Sequence, residues 1–184
     1  MRVQNPNNIF PISTYFKRSG RDHSNTYNGS IILVDGVPNV FTAVPYIPSK
    51  LEIPDSIRMD IAVGVAGFAR IGIYQDDGTI WPGSRLFGSG AIVTDIAVFV
   101  TEAIAGITLI PGNVYWIASL FSANPTMRGI SNEDILSCLG SDHTGLGNTM
   151  IVTEALAYGA LPATAPKTPT FGLVHAPCIT LHLP

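Results

Sequence analysis

The sequence predicts an all-β protein: an antiparallel β-sandwich, jelly-roll-like, with an extended N-terminal arm. Three observations carry this expectation. Apolar residues alternate with a period of two over residues 58–74 and again over 114–121, the mark of a strand with one face buried. Asp-Gly and Pro-Gly turns separate these runs at short intervals. No segment offers the crossover helices that a parallel α/β sheet needs.

Taken in order, residues 1–37 read as an arm or anchoring segment, and 38–184 as the sandwich. Residues 1–29 mix Asn, Ser, Pro and Gly with the charges Lys17, Arg18, Arg21 and Asp22, and hold no sustained period. A terminus of that composition frays unless something holds it, so the arm is expected to lie on a neighbouring subunit rather than on its own sandwich. Residues 31–34 are a short apolar run closed by Asp35-Gly36. Residues 40–48 form a candidate strand that Pro45 and Pro48 confine to an edge or a bulge. Met59, Ile61, Val63 and Val65 then share one side of a strand, with Arg58, Asp60, Ala62 and Gly64 on the other.

Ala69, Ile71 and Ile73 repeat the pattern opposite Phe68, Arg70, Gly72 and Tyr74. Asp76-Asp77-Gly78 closes that strand, and Trp81-Pro82-Gly83 turns the chain again. Residues 91–100 and 104–110 are two further strand candidates. After the Pro111-Gly112-Asn113 turn, Val114, Trp116, Ala118 and Leu120 alternate with Tyr115, Ile117, Ser119 and Phe121. Ile179, Leu181 and Leu183 alternate with Thr180 and His182 at the end. One short helix is offered, where Ser131 stands three residues before Asp134 and Ile135, Leu136 and Leu139 share a face.

Charged residues make up 12% of the 184-residue chain, against about 25% in an ordinary globular domain. Lys17, Lys50 and Lys167 are the only lysines, and arginines outnumber them. Lysine is the residue most depleted from buried interfaces, whereas the guanidinium fork of arginine is tolerated there. Mean hydropathy is +0.32, yet Gly, Pro or a charge cuts every apolar run well short of the ~20 residues of a membrane span. This balance suits a subunit of an assembly. The net charge of −3 without a basic block sets nucleic acid aside as a partner. Residues 1–8 lack the apolar stretch of a secretion signal, so the chain is expected to be made in the cytoplasm, with Cys138 and Cys178 as free thiols or as a pair.

Four residues stand out as candidate contacts: Trp81, Tyr115, Trp116 and Arg70. Trp81 sits in a turn, where an aromatic ring offers large contact area at low entropic cost. Tyr115 and Trp116 occupy opposite faces of one strand, which makes one a core residue and the other a partly exposed packing residue or a platform for a sugar or partner protein. Arg70 lies opposite Ala69, Ile71 and Ile73, and its charge would need a partner if that face were buried, which favours solvent or an interface. Asp76 and Asp77 offer carboxylates but no EF-hand spacing, so no metal, catalytic or cofactor residue is assigned. Asp142-His143 lacks a nucleophile elbow, and Gly88-Ser89-Gly90 and Gly145-Leu146-Gly147 lack the Lys-Ser/Thr of a phosphate loop.

The run Ala69-Arg70-Ile71-Gly72-Ile73-Tyr74-Gln75-Asp76-Asp77-Gly78, then Pro82-Gly83, then Leu109-Ile110-Pro111-Gly112-Asn113-Val114-Tyr115-Trp116-Ile117-Ala118 resembles a β-sandwich module of virion structural proteins in tailed bacteriophages, found in tail fibres and related appendages. Phe41-Thr42-Ala43-Val44-Pro45-Tyr46-Ile47-Pro48 and Gly159-Ala160-Leu161-Pro162-Ala163-Thr164 extend the likeness over residues 38–184. The resemblance implies a structural or host-contacting role in a symmetric homo-oligomer, a trimer above all, and carries no catalytic residue. Residues 1–37 are too short for a fibre shaft and show no heptads or repeats. The expectation is therefore a small separate virion protein, such as a head decoration protein, a short head fibre or a tail-tip component. The alternative is a receptor- or glycan-binding module. An enzyme would need at least an acidic pair across a groove, and the acids here stand in turns.

Overall fold

In the computed structural model, which describes residues 21–23, 31–130, 151–166, 170–172 and 175–184, the alternating segments become strands, and no helix occurs among the described residues. The strands are β1 (Arg21–His23), β2 (Ile31–Asp35), β3 (Val40–Tyr46), β4 (Ser56–Val63), β5 (Phe68–Asp76), β6 (Pro82–Gly88), β7 (Ile92–Val93), β8 (Val98–Ala103), β9 (Tyr115–Phe121), β10 (Thr126–Ile130), β11 (Ile151–Ala155), β12 (Thr170–Gly172), β13 (Ala176–Pro177) and β14 (Ile179–Leu183). They form two antiparallel sheets. In the first, β4 has β8 along one side and meets β14 and β10 along the other. β1 continues outward from β14, while β2 and β13 pair with β10. The second runs β12-β11-β3-β9-β5, with β6 and β7 both on β5.

The period-two residues face each other across the sandwich. Ile57, Met59 and Ile61 of β4, Ile179 and Leu181 of β14 and Met127 of β10 meet Ala69, Ile71 and Ile73 of β5, Tyr115, Ile117 and Phe121 of β9, and Tyr46 of β3. Each large side chain so buried contributes about 1.5–3 kcal/mol of transfer free energy. Tyr46 closes one end, its hydroxyl donating to Glu52 Oε2 at 2.5 Å. Burial foremost, then the Glu52 charge and this hydrogen bond, pushes the Tyr46 phenol far above its usual range.

A second core lies on the outer face of the second sheet. Phe41, Ala43, Tyr74, Trp116, Ala118, Leu120 and Val152 are covered there by Leu161 and Ala165 of residues 156–166. This cover runs as irregular chain pinned by hydrogen bonds. Leu156 N–H donates to the Asn39 carbonyl (2.8 Å), Tyr158 N–H to Asn39 Oδ1 (2.9 Å), and the Tyr74 hydroxyl to the Pro162 carbonyl (2.9 Å). Arg85 N–H donates to the Ala163 carbonyl and Ala165 N–H to the Gly83 carbonyl, each at 2.9 Å, so the cover also caps the free side of β6. Gly72 makes room for it, since a Cβ there would stand 2.7 Å from Leu161 Cδ1 and 2.6 Å from the Phe87 carbonyl oxygen. With both faces covered, β9 is buried at every position.

Several expectations are corrected. Residues 21–23 and 31–35, read as part of the arm, are strands of the first sheet, because β1 pairs with β14 and β2 with β10. β3 is an inner strand rather than an edge: β11 and β9 flank it, and Pro45 falls beyond Ala43, where the described pairing with β11 ends. The buried side of β4 stops at Ile61, leaving Val63 and Val65 exposed as the chain leaves the sheet. Residues 104–110 are loop with a single bridge, Leu109 to Glu52. β6, β10 and β11 carry no clean alternation and were not anticipated. The helix expected at 131–139, Cys138, Asp142 and His143 lie outside the described residues, as do residues 1–20 and 24–30.

Candidate functional site

β5 ends at Asp76 because its carboxylate folds the chain back on itself. Asp76 Oδ1 accepts from Gly78 N–H (2.8 Å) and Ile80 N–H (3.2 Å), and Asp77 Oδ1 accepts from Thr79 N–H (2.8 Å) and Thr79 Oγ1 (2.7 Å). Gly78 has φ +93°, which glycine adopts freely. Ile80 has φ +67°, a left-handed conformation that costs a β-branched residue on the order of 1–3 kcal/mol. The strained turn delivers Trp81, half-buried, to the mouth of a groove of about 580 Å³. Gln75, Asp77, Ser84, Thr164 and Pro166 line the rest of it. An aromatic ring beside amide, hydroxyl and carboxylate groups can stack on a sugar or peptide face and hydrogen-bond its rim.

Of the four candidate contacts, only Trp81 opens onto such a groove. Tyr115 and Trp116 do point to opposite faces, but both are buried. Tyr115 enters the central core, and its hydroxyl accepts Ile110 N–H at 2.9 Å. Trp116 is under the cover, and its Nε1–H donates to Asp76 Oδ2 at 2.9 Å, so neither ring is available to a partner. The Asp76 carboxylate is thereby committed to turn amides and an indole. Among the described residues, no group of three or more His, Cys, Asp or Glu side chains could hold a metal.

Arg70 is also held within its own chain. Its Nη1 donates to the Ser89 carbonyl (3.1 Å), and its guanidinium lies 5.9 Å from the centre of the Tyr158 ring. Tyr158 in turn stacks on Phe68 at 6.4 Å. Arg70 thus rests against the cover, held by a carbonyl and a ring of the same chain, while its Nε is buried with no hydrogen-bond partner among the described residues.

A second feature was not anticipated. Where β4 turns into β5, Val63 is 54% exposed, Val65 36% and Phe68 45%, and β7 with the loop after it adds Val93 at 51% and Ile96 at 61%. The two loops are tied together: Val65 N–H donates to the Thr94 carbonyl (2.7 Å), Thr94 N–H to the Gly67 carbonyl (3.0 Å) and Thr94 Oγ1 to the Val65 carbonyl (2.9 Å). Gly64 lies so close to Asp95 and Ile96 that no side chain fits between the loops. These bonds present an apolar end of fixed shape. No helix among the described residues is long and apolar enough to cross a membrane. Compared with known proteins, the chain matches no protein-family model, and no curated protein matches it in sequence.

Proposed function

We propose that this chain is a virion structural protein of a tailed bacteriophage, mounted on the particle by protein–protein contacts as a small head or tail appendage or decoration component. The observation that supports the reading is the apolar end of the sandwich. Val63, Phe68, Val93 and Ile96 are exposed apolar side chains borne by neighbouring segments that hydrogen bonds hold together, and apolar side chains gathered in this way mark an interaction site. The low charge of the chain points the same way, and the phage setting comes from the resemblance of residues 38–184. Assembly as a closed homo-oligomer, a trimer in keeping with that resemblance, and a jelly-roll-type strand path belong to the same proposal. The chain would be made in the host cytoplasm and reside in the virion, and no catalytic residue is assigned to it.

The experiment is quantitative mass spectrometry and gold labelling on gradient-purified particles. The expected result is a fixed copy number per particle and label at one location. Particles that lack the protein would overturn the reading. Ile96→Asp should prevent incorporation while leaving the sandwich folded, because Ile96 is 61% exposed.

A receptor- or glycan-binding role is the second reading, supported by Trp81 in its groove. A glycan array probed with wild type and Trp81→Ala tests it. Binding that disappears with the ring supports this reading, and no binding above background removes it.

A further inference from the structure

We infer that β8 is a self-pairing edge, through which two copies of this chain join their first sheets antiparallel about a two-fold axis. Among the described residues, β4 is the strand partner of β8, with Ser56 opposite Ala103 and Ile61 opposite Val98. Just past the strand, Ile104 N–H donates to the Asp55 carbonyl at 2.7 Å. In an antiparallel ladder this sets the parity: Val98, Val100 and Glu102 turn their N–H and C=O groups to β4, and Phe99, Thr101 and Ala103 turn theirs outward. These three outward residues are exposed, Phe99 at 53%.

Edge strands are normally blunted by lysine, proline, a bulge or a covering segment. The cover does this for β6 in the second sheet. β8 reads Val-Phe-Val-Thr-Glu-Ala, with no lysine, arginine or proline, and its register with β4 is unbroken. Chemistry on the strand itself favours a second copy as the occupant. Only an outward residue can exchange both bonds with an outward residue, and an axis through Thr101 satisfies this along the whole strand. Thr101 then faces Thr101 of the other copy, Phe99 faces Ala103, and about six backbone hydrogen bonds form. The large ring meets the small methyl, and threonines directly opposite are a favourable cross-strand pair. Glu102 comes opposite Val100, so no like charges stand face to face. The pairing is two-fold by construction. It does not rest on the virion reading.

Thr101→Pro is the test, since it removes an outward N–H and leaves the bonds to β4 in place. Wild type should show an even-numbered mass by analytical ultracentrifugation. The variant should show half that mass, with an unchanged β spectrum. Hydrogen exchange supplies a local readout: the Phe99, Thr101 and Ala103 amides of wild type should slow at least about tenfold on going from dilute to concentrated protein. If Thr101→Pro does not fold, Phe99→Lys leaves the backbone untouched and should also halve the mass. A monomeric wild type, a variant that keeps the wild-type mass, or concentration-independent exchange at those amides would each overturn the pairing.

Discussion

Truncating Leu161 to alanine separates two roles for residues 156–166, a structural layer or a surface loop laid on a finished sheet. Leu161 is 2% exposed and packs in the cluster of Phe41, Tyr74 and Trp116. Leu161→Ala removes roughly three buried carbon groups, which at about 0.8 kcal/mol each gives about 2.4 kcal/mol. A rigid surrounding would add a cavity term and raise the loss toward about 5 kcal/mol. The cover is one irregular segment that can settle onto the space, so the expected loss is about 2.5–3 kcal/mol. For a domain of this size that lowers the melting temperature by about 6–10 °C. Urea unfolding followed by circular dichroism gives the stability, and tryptophan fluorescence reports the cover, because Trp116 lies beneath it. Leu86, 39% exposed on β6, is the control, and Leu86→Ala should cost no more than about 1 kcal/mol. If Leu161→Ala costs no more than the control, the segment is not a layer and the burial of Trp116 needs another cause.

Alkaline stability follows from Tyr46 and Tyr74, both pushed above the usual tyrosine value of 10.0, chiefly by burial. Their contribution is complete below that pH. It is lost as pH rises past it, each retained proton steepening the loss by about 1.4 kcal/mol per pH unit. An ultraviolet titration should show these tyrosines ionising only with unfolding, and reversible ionisation of all six near pH 10 in folded protein would contradict this. On the acid side, the His182 hydrogen bond at 2.8 Å, then the Ser56 hydroxyl, hold the Asp55 carboxyl below its usual 3.8. That contribution is present above the usual value and fades as pH falls through the lowered one, so Asp55→Asn should flatten the dependence of the urea midpoint below about pH 4. Gly72→Ala would press a methyl against Leu161 and the Phe87 carbonyl and should cost about 1–3 kcal/mol, whereas Gly90→Ala, with open space around it, should fall within about 1 kcal/mol of wild type.

The sequence by itself determined the all-β class and the strands that carry the central core. Met59 and Ile61, Ala69, Ile71 and Ile73, and Ile179 and Leu181 are legible because alternation is a local property of an extended chain with one wet face. It also marked Trp81 as a residue presented by a turn. Only the tertiary structure decided which faces stay wet. Tyr115 and Trp116 are both buried because Leu161 and Ala165 return from the distant cover to the outer face of β9. Arg70 meets Tyr158 by the same return of the chain, and Ser89 where the chain leaves β6. The groove beside Trp81 likewise exists only once Thr164 and Pro166 close its far side. Strand partners such as β2 with β10, and the outward amides of β8, depend on hydrogen bonds between segments far apart in the chain. A periodic pattern records which side of a strand is apolar, but not what will lie against either side or along its edge.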